Sequence, residues 1–275
     1  MNKTNPIGIF DSGVGGLTVV KSIESFLPNE NIIYFGDTAR VPYGSKSNST
    51  VIEYALQDAK FLEKKNVKLI IVACNTASSI ALNTLQEHFN IPIIGMIDPG
   101  AKSAIEKTTT GKIGVIGTET TISNKAYSKA LLNLDSKVKV IEKACPLFVP
   151  LAEEGWIKHP ATKLIAIEYL AELKKEKIDT LILGCTHYPI LRKIIQDEIG
   201  KDVTLIDSGA VASIEVENYL EGIGLRNTYN NLGQHKFYVS DTPTKFKQVA
   251  NLFLGKKVEH IEKIDLEEVL KRFGR

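Results

Sequence analysis

The sequence predicts an α/β fold of two pseudo-symmetric α/β halves, each a mostly parallel sheet flanked by helices, with the functional crevice between them. Short continuous apolar runs recur along the chain and alternate with longer amphipathic stretches, as buried parallel strands alternate with their crossover helices. The chain also repeats itself loosely. Ile7-Gly-Ile-Phe-Asp-Ser12 aligns with Ile113-Gly-Val-Ile-Gly-Thr118, and Ile71-Val-Ala-Cys-Asn-Thr76 aligns with Ile182-Leu-Gly-Cys-Thr-His187, at offsets of 106 and 111 residues. In each repeat a cysteine, Cys74 or Cys185, directly follows a strand-like run and precedes a helical one. That carboxyl end of a parallel strand is where ligands of α/β sheets sit.

In chain order, strands are expected at residues 7–10, 32–35, 69–73, 91–94, 113–116, 138–141, 180–183 and 204–206. Residues 50–65 carry Val51, Ala55, Leu56, Ala59 and Leu62 close to one stripe, the spacing of a surface helix packed on a sheet, and residues 163–176 follow the same pattern. The C-terminal part adds a strand at 236–239, a helix at 245–254 and a strand at 258–261, which can pack back on the first half. Asp98-Pro-Gly100 and Asp207-Ser-Gly209 punctuate the chain. The expected division is a first α/β domain of residues 1–98 and 208–275 carrying Cys74, and a second of residues 99–207 carrying Cys185.

The 275 residues suffice for two such units, and 43% hydrophobic with 24% charged residues is ordinary for a soluble globular chain, excluding disorder and coiled coil. Lys and Arg total 34 against 32 Asp and Glu, a net charge of +2, so there is no basic excess to bind nucleic acid. Membrane contact is equally unsupported. The first six residues are short and polar and the apolar run after them is broken at Asp11, so neither signal peptide nor spanning helix is expected, which places the protein in the cytoplasm. Cys74, Cys145 and Cys185 form an odd, sparse set with no C-x-x-C pair or nearby His cluster, arguing against disulfides and against a metal site.

Cysteines often serve only as small buried hydrophobes. The matched settings of Cys74 and Cys185 argue for more, because a following helix N-terminus offers each sulfur N–H groups and a positive dipole end that lower a thiol pKa. Two acid/base groups of one type, facing each other across a crevice, suit the removal of a proton from one face of a carbon and its return to the other. That is racemisation or epimerisation. Gly13, Gly15 and Gly16 permit a tight turn and close backbone approach to a ligand. A phosphate loop could be built the same way, but neither G-x-G-x-x-G nor the Walker Gly-Lys-Ser/Thr is present. Pro42, Tyr43, Gly44 and Ser45 have turn chemistry, and Asn75 and Thr76 sit where a helix is capped, a corner that can also bind a carboxylate. Thr186 is their counterpart in the second half. His187, two residues past Cys185, can exchange a proton with it. Glu153 beside Glu154 has by itself the look of a solvated pair at a helix end. Cys145 has no equivalent in the other half and is expected to be structural.

Five segments in order, Asp11-Ser-Gly-Val-Gly-Gly-Leu-Thr18, Asp37-Thr-Ala-Arg-Val-Pro-Tyr-Gly-Ser45, Ala73-Cys-Asn-Thr-Ala77, Cys145-Pro-Leu-Phe-Val-Pro-Leu151 with Glu153, and Gly184-Cys-Thr-His-Tyr-Pro189, resemble the motif set of the bacterial glutamate racemases. The resemblance runs from about residue 7 to 208. It implies a cofactor-independent enzyme that interconverts L- and D-glutamate and supplies D-glutamate for peptidoglycan, with dimers common in the family. Glutamate would be the small-molecule partner. It implies that Cys74 takes the proton of D-glutamate while Cys185 delivers one, the roles reversing for L-glutamate. Asp11 and Ser12 would contact substrate, with Asp11 also assisting the first thiol; Glu153, with His187, would assist the second. The Tyr43-Gly44 step would line the site through backbone and side-chain donors, beside Pro42 and Ser45. Alternatives within reach of the same residues are an aspartate or hydantoin racemase, a thiol hydrolase using Cys185 and His187, and a two-lobed amino-acid binder.

Overall fold

Parallel strands buried on both faces require unbroken apolar sequence, and the computed structural model, which describes residues 1–241, 243–266, 268 and 271, forms two all-parallel sheets from such runs. The strands are β1 (Ile7–Asp11), β2 (Ile32–Gly36), β3 (Leu69–Val72), β4 (Ile93–Ile94), β5 (Lys112–Gly117), β6 (Lys139–Ala144), β7 (Thr180–Gly184), β8 (Thr204–Asp207), β9 (His235–Val239) and β10 (Ile261–Lys263). One sheet has the order β10-β9-β2-β1-β3-β4, the other β6-β5-β7-β8. The second order repeats β2-β1-β3-β4 of the first, so the internal sequence repeat is a repeat of topology. β1 pairs with β2 and β3 with Ile7 opposite Ile32 and Leu69, and β5 pairs with β6 and β7 with Ile113 opposite Val140 and Thr180.

The helices are α1 (Leu17–Phe26), α2 (Asn48–Glu63), α3 (Asn75–His88), α4 (Ile97–Lys107), α5 (Glu119–Ser123), α6 (Ala126–Leu134), α7 (Phe148–Glu153), α8 (Pro160–Lys175), α9 (Arg192–Ile199), α10 (Ser208–Gly222) and α11 (Pro243–Leu254). Several begin on caps legible in sequence: Ser47 accepts from the Thr50 N–H, Thr118 from the Thr121 N–H, and Asp207 from the Gly209 and Ala210 N–H groups. Side chains alternate across each strand, so Ile9 and Tyr34 enter one apolar cluster and Phe10 and Phe35 another on the opposite face. The first of these clusters joins Ile9, Leu17 and Tyr34 to Leu183, Tyr188 and Leu191, giving the two halves a shared core.

Strand boundaries depart from expectation by one to three residues, and three of the departures have a local cause. β4 is confined to Ile93–Ile94 rather than 91–94, because Pro92 has no N–H for the ladder and contributes only its carbonyl, to Ile70. β6 starts at Lys139, since the Val138 N–H closes a turn onto the Asp135 carbonyl. β10 lies at Ile261–Lys263 rather than 258–261, because the Val258 N–H donates to the Asn251 side chain at 2.8 Å and cannot begin a ladder. The returning C-terminal strands do pack on the first sheet, β9 pairing with β2. The expected break after residue 98 falls just inside α4, and that before residue 208 at the start of α10. Among the described residues no helix is long and apolar enough to cross a membrane.

Candidate active site

β3 and β7 are the inner strands that lead into the two cysteines. Past β3 the chain bends at Cys74 (φ −62°, ψ 114°) into α3, and the sulfur itself caps that helix, accepting from the Ala77 N–H at 3.5 Å. The thiol donates to Ser12 Oγ at 3.8 Å. Cys74 is only 6% exposed. Burial, followed by the charge of Asp11, pushes its thiol up to about 12, over the opposing pull of the Ala77 and Ser12 hydrogen bonds. At neutral pH it holds its proton, against the lowered value expected of a thiol at a helix N-terminus, because burial and Asp11 outweigh the Ala77 N–H.

Asp11 ends β1 fully buried, its carboxylate accepting from the Gly13 N–H at 3.0 Å and from the Thr186 hydroxyl at 3.3 Å. Burial raises its carboxyl above the ordinary range despite the His187 charge and these donors. The Asp11–Thr186 bond crosses from one half to the other, and Thr18 reinforces it by donating to the Thr186 carbonyl at 2.9 Å. Gly15 makes that approach possible, since a Cβ there would lie 2.3 Å from Thr186 Oγ1 and 2.4 Å from His187 Nδ1.

Past β7, Cys185 is 5% exposed and its sulfur lies 3.8 Å from His187 Nδ1. His187 Nε2 is 3.0 Å from Glu153 Oε1, at the end of α7, and the ring stands edge-on to Phe253. Burial pulls the His187 value down, but the contacts with Cys185 and Glu153 outweigh it and hold it at about 10, so the ring is an imidazolium at neutral pH. Glu153 is thus turned inward to the histidine, while Glu154 next to it is exposed.

Hydroxyls from both halves meet at the start of α3. Thr76 Oγ1 is 2.9 Å from Thr118 Oγ1 and 3.2 Å from Thr121 Oγ1, and those two are 3.0 Å apart. The Thr120 hydroxyl donates to the Gly44 carbonyl at 2.6 Å. Asn75 is buried, accepting from the Tyr127 hydroxyl at 2.7 Å with its amide 3.5 Å from Ser208 Oγ. The contacts of Thr76, of Thr120 with Gly44 and of Asn75 with Tyr127 link α3 or the 43–45 turn to elements from the other repeat. Thr118 and Thr121 escaped the sequence analysis, although the repeat that aligns Ser12 with Thr118 pointed to the first of them. Tyr43 departs from expectation. Its hydroxyl donates to Asp37 Oδ2 at 2.5 Å inside a buried charged cluster and is not a free donor, which leaves only the backbone of this step for a ligand. Pro42, preceded by a cis peptide bond, and Ser45 are exposed at the rim.

Cys145 is buried, its sulfur 3.6 Å from the Lys143 carbonyl, and burial raises its thiol above the ordinary value. A cavity of about 1510 Å³ lies away from the thiols, walled by Arg40, Tyr54, Lys60, Asp241 and Asp265 among others. Among the described residues no cluster of three or more His, Cys, Asp or Glu has the arrangement to hold a metal ion.

The Asp/Glu/hydantoin racemase family profile matches residues 10–214. The chain is 50% identical over 261 residues to the glutamate racemase of Geobacter metallireducens, covering 95% of this chain and 97% of that protein. It is 50% identical over 267 residues to that of Chlorobaculum tepidum, covering 97% and 98%. Among solved structures, a glutamate racemase isoform from Bacillus anthracis superposes with a TM-score of 0.93 at 42% identity, covering 96% of this chain and 99% of that one. The glutamate racemase of Francisella tularensis, solved in complex with D-glutamate, gives 0.90 at 43% identity, covering 97% and 99%.

Proposed function

The chain belongs to the Asp/Glu/hydantoin racemase family, and from that membership we propose that it interconverts L- and D-glutamate by proton transfer at two thiols, Cys74 and Cys185, without a cofactor. The observation that carries this is the pairing of two nearly closed-off thiols at equivalent strand ends, each with its own proton partner, Asp11 for one and His187 for the other.

From D-glutamate, Cys74 as thiolate takes the α-proton and becomes a thiol, and the electron pair stays on the substrate, spread into its carboxylate. Cys185 then gives its proton to the opposite face and becomes the thiolate. From L-glutamate the same steps run backwards. The α-proton is far less acidic than a thiol, so the developing charge needs fixed donors in a water-poor site. Ser12, Asn75, Thr76 and Thr186, the backbone N–H groups of the Gly44 turn, and the substrate's own ammonium serve that purpose. Each turnover exchanges the protonation of the two thiols. Asp11, whose buried carboxyl readily takes a proton, and the His187–Glu153 pair are placed to restore it.

In this reading Cys74 belongs to a domain of residues 1–98 and 208–275 and Cys185 to one of residues 99–207, and the protein works in the cytoplasm as a homodimer that supplies D-glutamate for peptidoglycan. The test is incubation of purified protein with each glutamate enantiomer in D2O, without pyridoxal phosphate. Loss of optical activity from both, with deuterium at Cα of the product, is the expected result. Silence on glutamate with turnover of aspartate or a hydantoin would overturn the substrate. An acyl-enzyme burst that persists without Cys74 would replace the reaction with thiol hydrolysis.

A further inference from the structure

The segment between β2 and α2 carries a buried charged cluster that the thiol chemistry does not use. Asp37 accepts from Arg40 Nε at 2.6 Å and from the Ser240 hydroxyl at 2.9 Å. Arg40 also donates through Nη2 to Asp58 Oδ1 at 2.9 Å and through Nη1 to Gln57 Oε1 at 2.5 Å. Both aspartates are fully buried. The Tyr43 oxygen lies 2.5 Å from Asp37 Oδ2 and 2.9 Å from Asp58 Oδ2, on opposite partners of the same guanidinium.

A phenol has one proton to give, so it can donate to only one of two carboxylates at hydrogen-bond distance. The other contact needs a proton supplied by the carboxyl. Charge counting agrees, because two buried carboxylates face one guanidinium, and a proton on one of them leaves the cluster neutral. Asp37 is the more fully hydrogen-bonded of the two. It receives Arg40, Tyr43 and Ser240, whereas among the described residues Asp58, beyond the Tyr43 contact, receives only Arg40. Burial, then the Asp37 charge, with Asp11 adding a smaller push, raises the Asp58 carboxyl well above the usual range.

We propose that Asp58 is held as a neutral carboxylic acid that donates to the Tyr43 oxygen, and that it is a positioning residue for the reaction, fixing the Tyr43–Gly44 turn over the crevice. The connection to the site is short. Gly44 accepts from Thr120, and a Cβ on Gly44 would lie 2.9 Å from Thr118 Cβ, so the turn presses directly on the hydroxyl set around Thr76. At its other end the cluster is tied to the first strand, the Asp37 N–H donating to the Asp11 carbonyl at 2.9 Å. Releasing Tyr43 therefore loosens one wall of the substrate site without touching either thiol.

The catalytic half of this inference rests on the glutamate racemase reading; the protonation half does not. The experiment compares kcat and KM for both glutamate enantiomers, with melting temperature, in wild type, Asp58→Asn and Asp58→Ala. Asparagine replaces the O–H donor with an N–H and keeps the acceptor for Arg40, so Asp58→Asn is expected within about threefold of wild type. Asp58→Ala leaves Tyr43 and Arg40 unmatched and is expected to raise KM by about tenfold or more with a smaller change in kcat. If Asp58→Asn falls as far as Asp58→Ala, the group works as an anion and the proposal is overturned. If Asp58→Ala lowers the melting temperature and leaves KM alone, the residue is only structural and the positioning role is overturned. Infrared spectra of protein labelled with ¹³C-carboxyl aspartate separate this from a failure of the racemase reading. A protonated-carboxyl band present at neutral pH in wild type and lost in Asp58→Asn supports the neutral acid even if glutamate is not turned over, and an unchanged spectrum contradicts it.

Discussion

Cys74 and Cys185 stand at equivalent points of two repeats with the same strand order, each just past an inner strand and almost closed to solvent. Their charged neighbours are of opposite sign. Cys74 has the Asp11 carboxyl, which together with burial holds its proton on; Cys185 has the His187 ring, kept protonated by its contacts with Cys185 and Glu153. On the proposed mechanism the repeat supplies the geometry, two like groups for opposite faces of one carbon. The side chains beside them decide which starts as acid. On that mechanism Cys74, which holds its proton, stands ready as a donor, and the His187 imidazolium stands beside Cys185, an arrangement suited to turning over L-glutamate first.

The comparison is broken most severely by removing either thiol. Cys74→Ala or Cys185→Ala is expected to cut racemisation by about a thousandfold or more in both directions, with circular dichroism unchanged. Near-normal turnover in either folded variant would show that one thiol suffices. Next in size is the loss of the cation: His187→Asn is expected to lower kcat/KM by about a hundredfold. Because the enantiomers have equal free energy, that loss must be the same in both directions. The primary α-deuterium isotope effect sharpens the comparison, since it should grow more for L-glutamate, whose proton goes to Cys185.

Stability against pH separates the halves more gently. The His187 value is raised from 6.5 to about 10 on folding, so its protonation stabilises the fold fully below about pH 6.5 and that contribution is lost as pH rises through about 10. Denaturant midpoints between these limits should fall with pH in wild type and flatten in His187→Asn. The smallest expected change is on the other side. Asp11→Asn removes the carboxylate that ranks after burial in raising the Cys74 thiol, so the pH dependence of Cys74 alkylation should move to lower pH.

The strands were legible because burial on both faces leaves no alternation to confuse, and continuous runs such as those around Ile71 and Ile182 mark them directly. Their ends were less so, since Pro92 and the Asn251 side chain act through partners that no local pattern names. The cysteines stood out through the repeat. Thr118 and Thr121 did not, because in sequence they have the pattern of an ordinary helix cap, and only folding brings them to Thr76, more than 40 residues earlier in the chain. The orientation of Tyr43 was hidden for the same reason. Its hydroxyl answers to Asp58 on the next helix, and the turn motif around Pro42 and Gly44 says nothing of that partner.

The most direct test of two opposed thiols is α-proton exchange without inversion, followed by NMR in D2O for the two single-thiol variants on each enantiomer. Cys74→Ala retains Cys185 and should wash out the α-proton of L-glutamate alone, while Cys185→Ala should do so for D-glutamate alone, neither producing the other enantiomer. Exchange of both enantiomers by one variant, or the reverse preference, would contradict the assignment of one thiol to each face.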